Sequence, residues 1–295
     1  MKIALGPLQY YWSRIATLQF YEAMSSAPVD IVYLGETVCS RRHELRLADW
    51  IEIAAMLAQA GKEVVLSTQV LLESGKDLTT LRQVAGNGRY AVEANDMGAV
   101  HCVQGAPFVA GPWINVYNPP TLALLAELGA KRWVAPLEMS RDGLAQILAD
   151  RPSGIETEVF AYGRMPLAFS ARCFTARHRN LPRDNCQYVC LEHPDGLQLN
   201  TREGEAFLVF NGISTQSARV CNLVESIDEM RSLGVDVLRL SPQSQHMGEI
   251  ATLFREVVDG RLDAGEALSS MNGLMPQAHC DGYWHGMAGL ARHAG

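Results

Sequence analysis

No run in this 295-residue chain approaches the ~20 consecutive apolar residues that a membrane-spanning helix requires. An integral membrane segment is therefore not expected. The N-terminus, MKIALGPLQYYW, lacks a long apolar core and a small-residue cleavage site, and its one short apolar stretch is stopped by Pro7. It reads as the start of a cytoplasmic protein. Positive charge is not in excess either. The 25 Lys and Arg stand against 32 Asp and Glu, a formal charge of −7, which gives no general attraction for phosphate backbones or anionic lipid. No nucleic-acid partner is expected. The HExxH, GxSxG and P-loop signatures are missing, and no Gly-rich dinucleotide turn follows the first apolar run. The pair Gly86 and Gly88 follows a helical stretch and precedes a strand, so it reads as a helix-ending turn.

What is present is ordinary for a globular protein: 48% hydrophobic and 19% charged residues give ample material for a core. The length suits either two average domains or one (β/α)₈ barrel, and the element pattern decides. Over the first 165 residues short apolar runs alternate with stretches of helical periodicity, the signature of repeated βα units. Strands are expected at Lys2–Leu5, Asp30–Leu34, Glu63–Ser67, Tyr90–Ala94, Phe108–Ala110 continuing to Asn115, Arg132–Pro136 and Glu156–Ala161. Helices are expected near 13–26, 44–60, 73–86, 96–103, 119–129 and 140–150. An eighth strand falls at Val235–Leu240, followed by a helix near 245–258. The expected fold is therefore an α/β, TIM-like (β/α)₈ barrel forming a single domain over 1–295. Between its seventh and eighth strands, at about 164–234, lies a small β-containing insertion that ends in a helix near 223–233. The Gly- and His-rich tail after Gly273 has no clear element pattern.

Seven cysteines, an odd number, in a chain without a leader are better read as core residues, reactive thiols or metal ligands than as disulfides. In CFTARHRNLPRDNCQYVC, Cys173, Cys186 and Cys190 are spaced C-x12-C-x3-C directly after the seventh strand and a short LAFSA linker. Cys186 and Cys190 could pack as small hydrophobes on one helical face. The surroundings, with Arg172, Arg177, His178, Arg179 and Arg183, make poor core. Neighbouring guanidinium groups instead stabilise thiolates, so basic flanks suit a metal–thiolate site. Cys39, in GETVCSRR just beyond the second strand, opens on the same barrel face as the loop after the seventh, and Arg41 and Arg42 repeat the basic flank. Four soft thiolates select zinc or an iron–sulfur cluster. The absence of paired C-x2-C knuckles and the dispersal of the ligands over two loops favour iron–sulfur. Cys102, Cys221 and Cys280 have no such setting and read as core.

Two further constellations compete. The tail segment AHCDGYWHG, with His279, Cys280, Asp281 and His285, could be a zinc site or a Cys–His nucleophile pair, although no third positioned group is visible. Glu36, Glu93 and Glu138, with Asn95, Asn115, Tyr162 and Arg164, sit at or just beyond expected strand ends and would face one barrel mouth. Catalytic residues cannot be named among them. Each alone could equally be a cap or a loop hydrogen bond.

The stretch EVFAYGRMPLAFSARC, followed by C-x3-C, resembles the signature of the U32 (collagenase-like) peptidase family, and DIVYLGE fits it as well. The resemblance runs over essentially the whole chain. Cys39 together with the later C-x12-C-x3-C is similar to the branch of that family serving oxygen-independent ubiquinone biosynthesis. That likeness implies a (β/α)-barrel protein with a 4Fe-4S cluster on Cys39, Cys173, Cys186 and Cys190. It also implies a heterodimer with a sister protein, UbiU, and anaerobic hydroxylation of a ubiquinone-precursor ring. Tyr162-Gly163 stands where the family usually has His-Gly, and the turn reads Ser-Ala-Arg-Cys, departures that speak against protease activity. The alternatives within the family are a hydrolase and an RNA-modifying hydroxylation protein; the acidic balance favours the quinone branch.

Overall fold

The computed structural model describes residues 1–293. Seven strands follow one another round a ring, in order β1 (Lys2–Leu5), β2 (Ile31–Leu34), β3 (Glu63–Ser67), β4 (Ala91–Ala94), β5 (Phe108–Ala110), β6 (Ala130–Val134) and β7 (Glu156–Phe169). Each of the first six is short, mostly apolar and largely buried, as parallel strands covered on both faces must be. Three antiparallel strands then leave the ring: β8 (Leu197–Asn200), β9 (Ala206–Asn211) and β10 (Ser214–Asn222). The chain returns through β11 (Val237–Leu240), which pairs in parallel with both β1 and β7 and so closes an eight-stranded barrel. The expected (β/α)₈ barrel and its β-containing insertion are thus both present.

Helices α1 (Arg14–Ser26), α2 (Leu47–Gln59), α3 (Gly75–Ala85), α4 (Met97–Cys102), α5 (Pro119–Glu127) and α6 (Arg141–Ala149) connect the strands. Most begin at the caps that the sequence supplies. Ser13, Ser74, Asp96, Asn118 and Ser140 each accept a hydrogen bond from a first-turn backbone N–H. A short α7 (Phe174–His178) starts at Cys173, whose sulfur takes the capping role with the Ala176 N–H at 3.4 Å. After β10 come α8 (Ile227–Leu233), α9 (Met247–Val258) and α10 (Ala264–Ser270). The tail forms a last strand, β12 (His279–Cys280), parallel to β10. No helix among the described residues is long and apolar enough to cross a membrane.

Two expected boundaries are corrected. The fifth strand stops at Ala110 instead of continuing to Asn115, because Pro112 removes a ladder donor and opens a 3₁₀ turn, Pro112–Ile114, that ends at Asn115 with φ 60°. The seventh strand runs to Phe169, through the segment read as a linker and into the range assigned to the insertion. Beyond the barrel rim β10 supplies its partner, pairing Gly163 with Cys221 and Phe169 with Ser214.

The barrel interior is unusual in being charged. Alongside Tyr33, Val65, Val109, Val134 and Val237, it buries Arg132, Glu158, Arg239 and Glu93. Glu158 accepts from Arg239 Nε at 2.5 Å and from the Tyr33 hydroxyl at 2.5 Å. Arg239 Nη1 lies 2.8 Å from Glu93, and its guanidinium stacks 4.1 Å over the Tyr33 ring. Arg132 carries the chain of charges down to Glu156 and Glu63 at the opposite end. Every charge has a partner, the condition under which buried ions are tolerated.

Candidate functional site

The four cysteines read as ligands come to one place, over the C-terminal ends of β2 and β3. Cys39 is buried, packed with Val38 and Ile213 and flanked by Leu71, Phe169 and Cys173. Its loop is shaped by Glu36, whose Oε1 accepts from the backbone N–H groups of Val38 and Cys39, both at 3.0 Å. Cys186 and Cys190 follow on two 3₁₀ turns. Burial pushes the Cys190 thiol up to about 11; Arg42 opposes this, while Cys173, Cys39 and Cys186 add to it. The other three thiols therefore lie around Cys190. They do not close on a single point: among the described residues no three His, Cys, Asp or Glu side chains form a ligand set for one ion.

Two of the basic residues in the flanks face the thiols. Arg42 is buried, donating to the Gln9 carbonyl at 2.8 Å and to Asn211 Oδ1 at 2.6 Å, with its guanidinium 5.3 Å from the centre of the Tyr11 ring. Burial pulls its pKa down, but Glu36, Cys190 and Cys39 outweigh that and hold it above the usual value. Arg183 forms a two-pronged pair with Glu73, which raises its pKa most, and also faces Cys39. The others serve elsewhere or not at all. Arg41 pairs with Asp184 at 2.5 Å, Arg179 pairs with Glu192, and Arg172 and Arg177 are exposed.

The polar groups expected at the barrel mouth divide. Glu93, Asn95, Asn115 and Glu138 line a cavity of about 570 Å³ there. Glu36 shapes the Cys39 loop instead. Tyr162 points outward, donating to Gln243 Oε1 at 2.6 Å and meeting Phe254 of α9 edge to face. Arg164 donates to the Ala218 carbonyl of β10 at 3.0 Å. Sequence reasoning missed Arg239 and Trp113, which also line the cavity, and Tyr283, which the unassigned tail brings to it.

The tail does not build a nucleophile pair. Cys280 is fully buried opposite Cys221, and burial pushes its thiol up to about 12, the reverse of what an attacking thiolate needs. His285 lies 3.6 Å from Asp281 and stacks on His293. Cys221 is buried as well, and Cys102 is half-buried at the end of α4.

Comparison with known proteins bears on this arrangement. A stretch of 116 residues is 30% identical to the tRNA hydroxylation protein P1 of Bacillus subtilis (strain 168), covering 36% of this chain and 26% of that protein. A stretch of 190 residues is 27% identical to the tRNA hydroxylation protein P of Helicobacter pylori (strain J99), covering 57% of this chain and 43% of that one. The chain thus spans less than half the length of the curated relatives it matches. Among solved structures, the U32 peptidase Mk0906 superposes with a TM-score of 0.45 at 14% identity, over 82% of this chain and 93% of that one. Residues 16–289, nearly the whole sequence and all four clustered cysteines, match peptidase family U32, and the chain belongs to that family.

Proposed function

We propose that this chain is the iron–sulfur component of an oxygen-independent hydroxylation system of the UbiV type. In this reading it acts in the cytoplasm on the ring of a ubiquinone precursor, paired with a sister U32 protein of the UbiU type, and folds as one domain. The observation that carries the reading is the convergence of Cys39, Cys173, Cys186 and Cys190 beside two guanidinium groups.

The donor set can be tested for fit. Four thiolates on one zinc ion sit about 2.3 Å from it and must crowd together. Here the thiols come from two separate loops around Cys190, and four soft thiolates are the donor set that an iron–sulfur cluster takes. Arg42 and Arg183 would offset the negative charge of the thiolates, and the patch of Val38, Leu71, Phe169 and Ile213 would shield one side from water. When bound, such a cluster supplies one-electron redox chemistry. The names of the relatives support hydroxylation as the reaction class. They also favour a second reading, in which the ring hydroxylated belongs to a tRNA base.

Protein purified without oxygen is expected to be brown, with about four irons and four acid-labile sulfides per chain. Alanine at Cys39, Cys173, Cys186 or Cys190 should remove iron, while alanine at Cys102, Cys221 or Cys280 should retain it. Stoichiometric zinc in a colourless protein, or full iron in Cys39→Ala, would overturn the proposal. Co-expression with the sister chain should yield a complex. Quinone intermediates and tRNA nucleosides from deletion cells then separate the two substrates.

A further inference from the structure

Away from the barrel mouth, and sharing no lining residue with the cavity there, a cleft opens between α2 and α3. Helix α1 packs on α2, and α3 on α4. Between α2 and α3 the space is instead open, about 420 Å³ walled in part by the loop 40–46, within the ~300–1,000 Å³ usual for small-molecule sites. Its lining is mostly apolar. Leu34, Trp50, Leu66 and Leu81 are buried around it, and Leu45 and Leu72 are half-buried.

The charged side chains of the lining do not balance. Glu36 and Arg42 pair with each other at 3.4 Å. Asp77 is occupied by its own helix start, accepting from the backbone N–H groups of Glu73 and Ser74, both at 3.0 Å. The remaining three, His43, Arg46 and Lys76, are exposed at the rim, and none has a carboxylate partner among the described residues. They also face one another. Burial holds the His43 imidazole below its usual pKa, and the charges of Lys76, Arg46 and Arg41 push it the same way; Arg41 itself is paired with Asp184. In a chain of net charge −7, unpaired cations gathered over an apolar cleft call for a negative group at the rim with an apolar body beneath it. Two permanent cations suit one head group, whereas an RNA strand would need a basic groove and stacking faces along its length.

We infer that this cleft binds a single-tailed anionic amphiphile, a carboxylate or phosphate monoester on an aliphatic chain, with its tail against Trp50, Leu66 and Leu81 and its head held by Arg46, Lys76 and His43. The site is separate from the cysteines and does not depend on the proposed reaction.

Calorimetric titration of the full chain would use decyl phosphate and decanoate below their micelle concentrations. One amphiphile is expected per chain, and the tighter of the two identifies the head. Decanol, which has no charged head, and inorganic phosphate, which has no tail, should each bind at least about tenfold more weakly. Arg46→Met/Lys76→Met should weaken the anions at least about tenfold while leaving decanol binding and the melting point unchanged, because neither side chain has a partner in the fold. Thr80 lines the cleft from the exposed side of α3, so Thr80→Trp should fill it and weaken anion and alcohol alike. Cys186→Ala should bind as the parent does, which separates this site from the fate of the cluster. No binding of either anion, equal affinity for decanol, unchanged affinity in Arg46→Met/Lys76→Met, or tighter binding of a uridine-containing hairpin RNA would each overturn the inference, as would binding to phosphatidylglycerol vesicles without binding of the monomeric amphiphiles.

Discussion

Replacing Arg42 by Met keeps the apolar stem and deletes the charge that faces Cys39 and Cys190. Asn211 Oδ1 loses its donor, whereas the Gln9 carbonyl retains the Asn211 Nδ2 bond at 2.6 Å. Glu36 loses an ion partner at 3.4 Å but keeps two backbone N–H donors at 3.0 Å. Breaking a buried pair costs about 3–5 kcal/mol when the remaining charge is stranded. Glu36 is not stranded, so the lower end applies, about 3 kcal/mol including the orphaned acceptor. At about 2 °C per kcal/mol or a little less for a chain of this size, the metal-free variant should melt about 5–6 °C below the parent. Arg42→Lys should fall between them, since an ammonium cannot span Gln9 and Asn211 as a guanidinium fork does. Differential scanning calorimetry gives the shift, and iron content after brief exposure to air gives the second readout, expected to fall faster in Arg42→Met. A melting point within about 2 °C of the parent, with unchanged iron retention, would refute the role assigned to Arg42.

Three other perturbations probe the frame around the site. Glu158→Gln keeps the shape but leaves Arg239 and Arg132 short of a carboxylate at the centre of the barrel; a loss of about 3–5 kcal/mol in urea unfolding is expected, and near-native stability would show that the network is dispensable. Gly163 has φ 124°, and an added Cβ would stand 2.5 Å from Ser241 Cβ, so Gly163→Ala should cost at least about 2 kcal/mol through strain and overpacking; a neutral variant would mean that β7 and β11 part easily. Asp49, held at about 2 chiefly by the Arg14 hydrogen bond, has a carboxyl pKa below its unfolded value, so its stabilisation is present at neutral pH and lost as pH falls from about 4 towards 2. The parent should exceed Asp49→Asn by less than about 1 kcal/mol at pH 7, the pair being partly exposed, and that gap should close by about pH 2; a gap independent of pH would mean that the bond Asp49 accepts from the Arg46 backbone N–H at the start of α2 carries it instead of the charge.

The barrel was legible because its strands are short apolar runs and its helices carry their own caps. Ile31–Leu34 and Glu63–Ser67 needed nothing else. The end of β7 was not legible, because its partner beyond the rim is β10, fifty residues later in sequence, and no local pattern announces that pairing. Tyr162 was misplaced for a related reason. Phe160 lines the cavity, and strict alternation would send Tyr162 the same way, but the pairing with β11 slips between Arg239 and Leu240 and turns Tyr162 outward. Arg132 and Arg239 were passed over because charge within a strand suggests an exposed face. The usable signal lay in complementarity: Arg in AKRWV and VLRL stands against Glu in AVEA and ETEVF on other strands of the same closed barrel. The cysteines stood out in the sequence because thiols among arginines are poor core, and a spacing pattern survives without coordinates.

The extension of β7 past the barrel rim ties these observations together. A strand ending at Ala161 would have left the following residues as loop, and loop side chains are held less firmly than those in a paired strand. Instead Pro166, which lacks a ladder donor, coincides with a register shift against β10, and pairing resumes at Ala168 and Phe169. The same strand therefore presents Phe160, Leu167 and Phe169 to the cavity and delivers the chain to Cys173 four residues later. β10 pins that strand, β9 pins β10, and Asn211 at the end of β9 accepts from Arg42 beside Cys39 and Cys190. The insertion is in this sense the clamp that fixes the distance between cavity and thiols. It explains why the β-containing segment and three of the four cysteines, Cys173, Cys186 and Cys190, occupy one stretch of sequence, between β7 and β11.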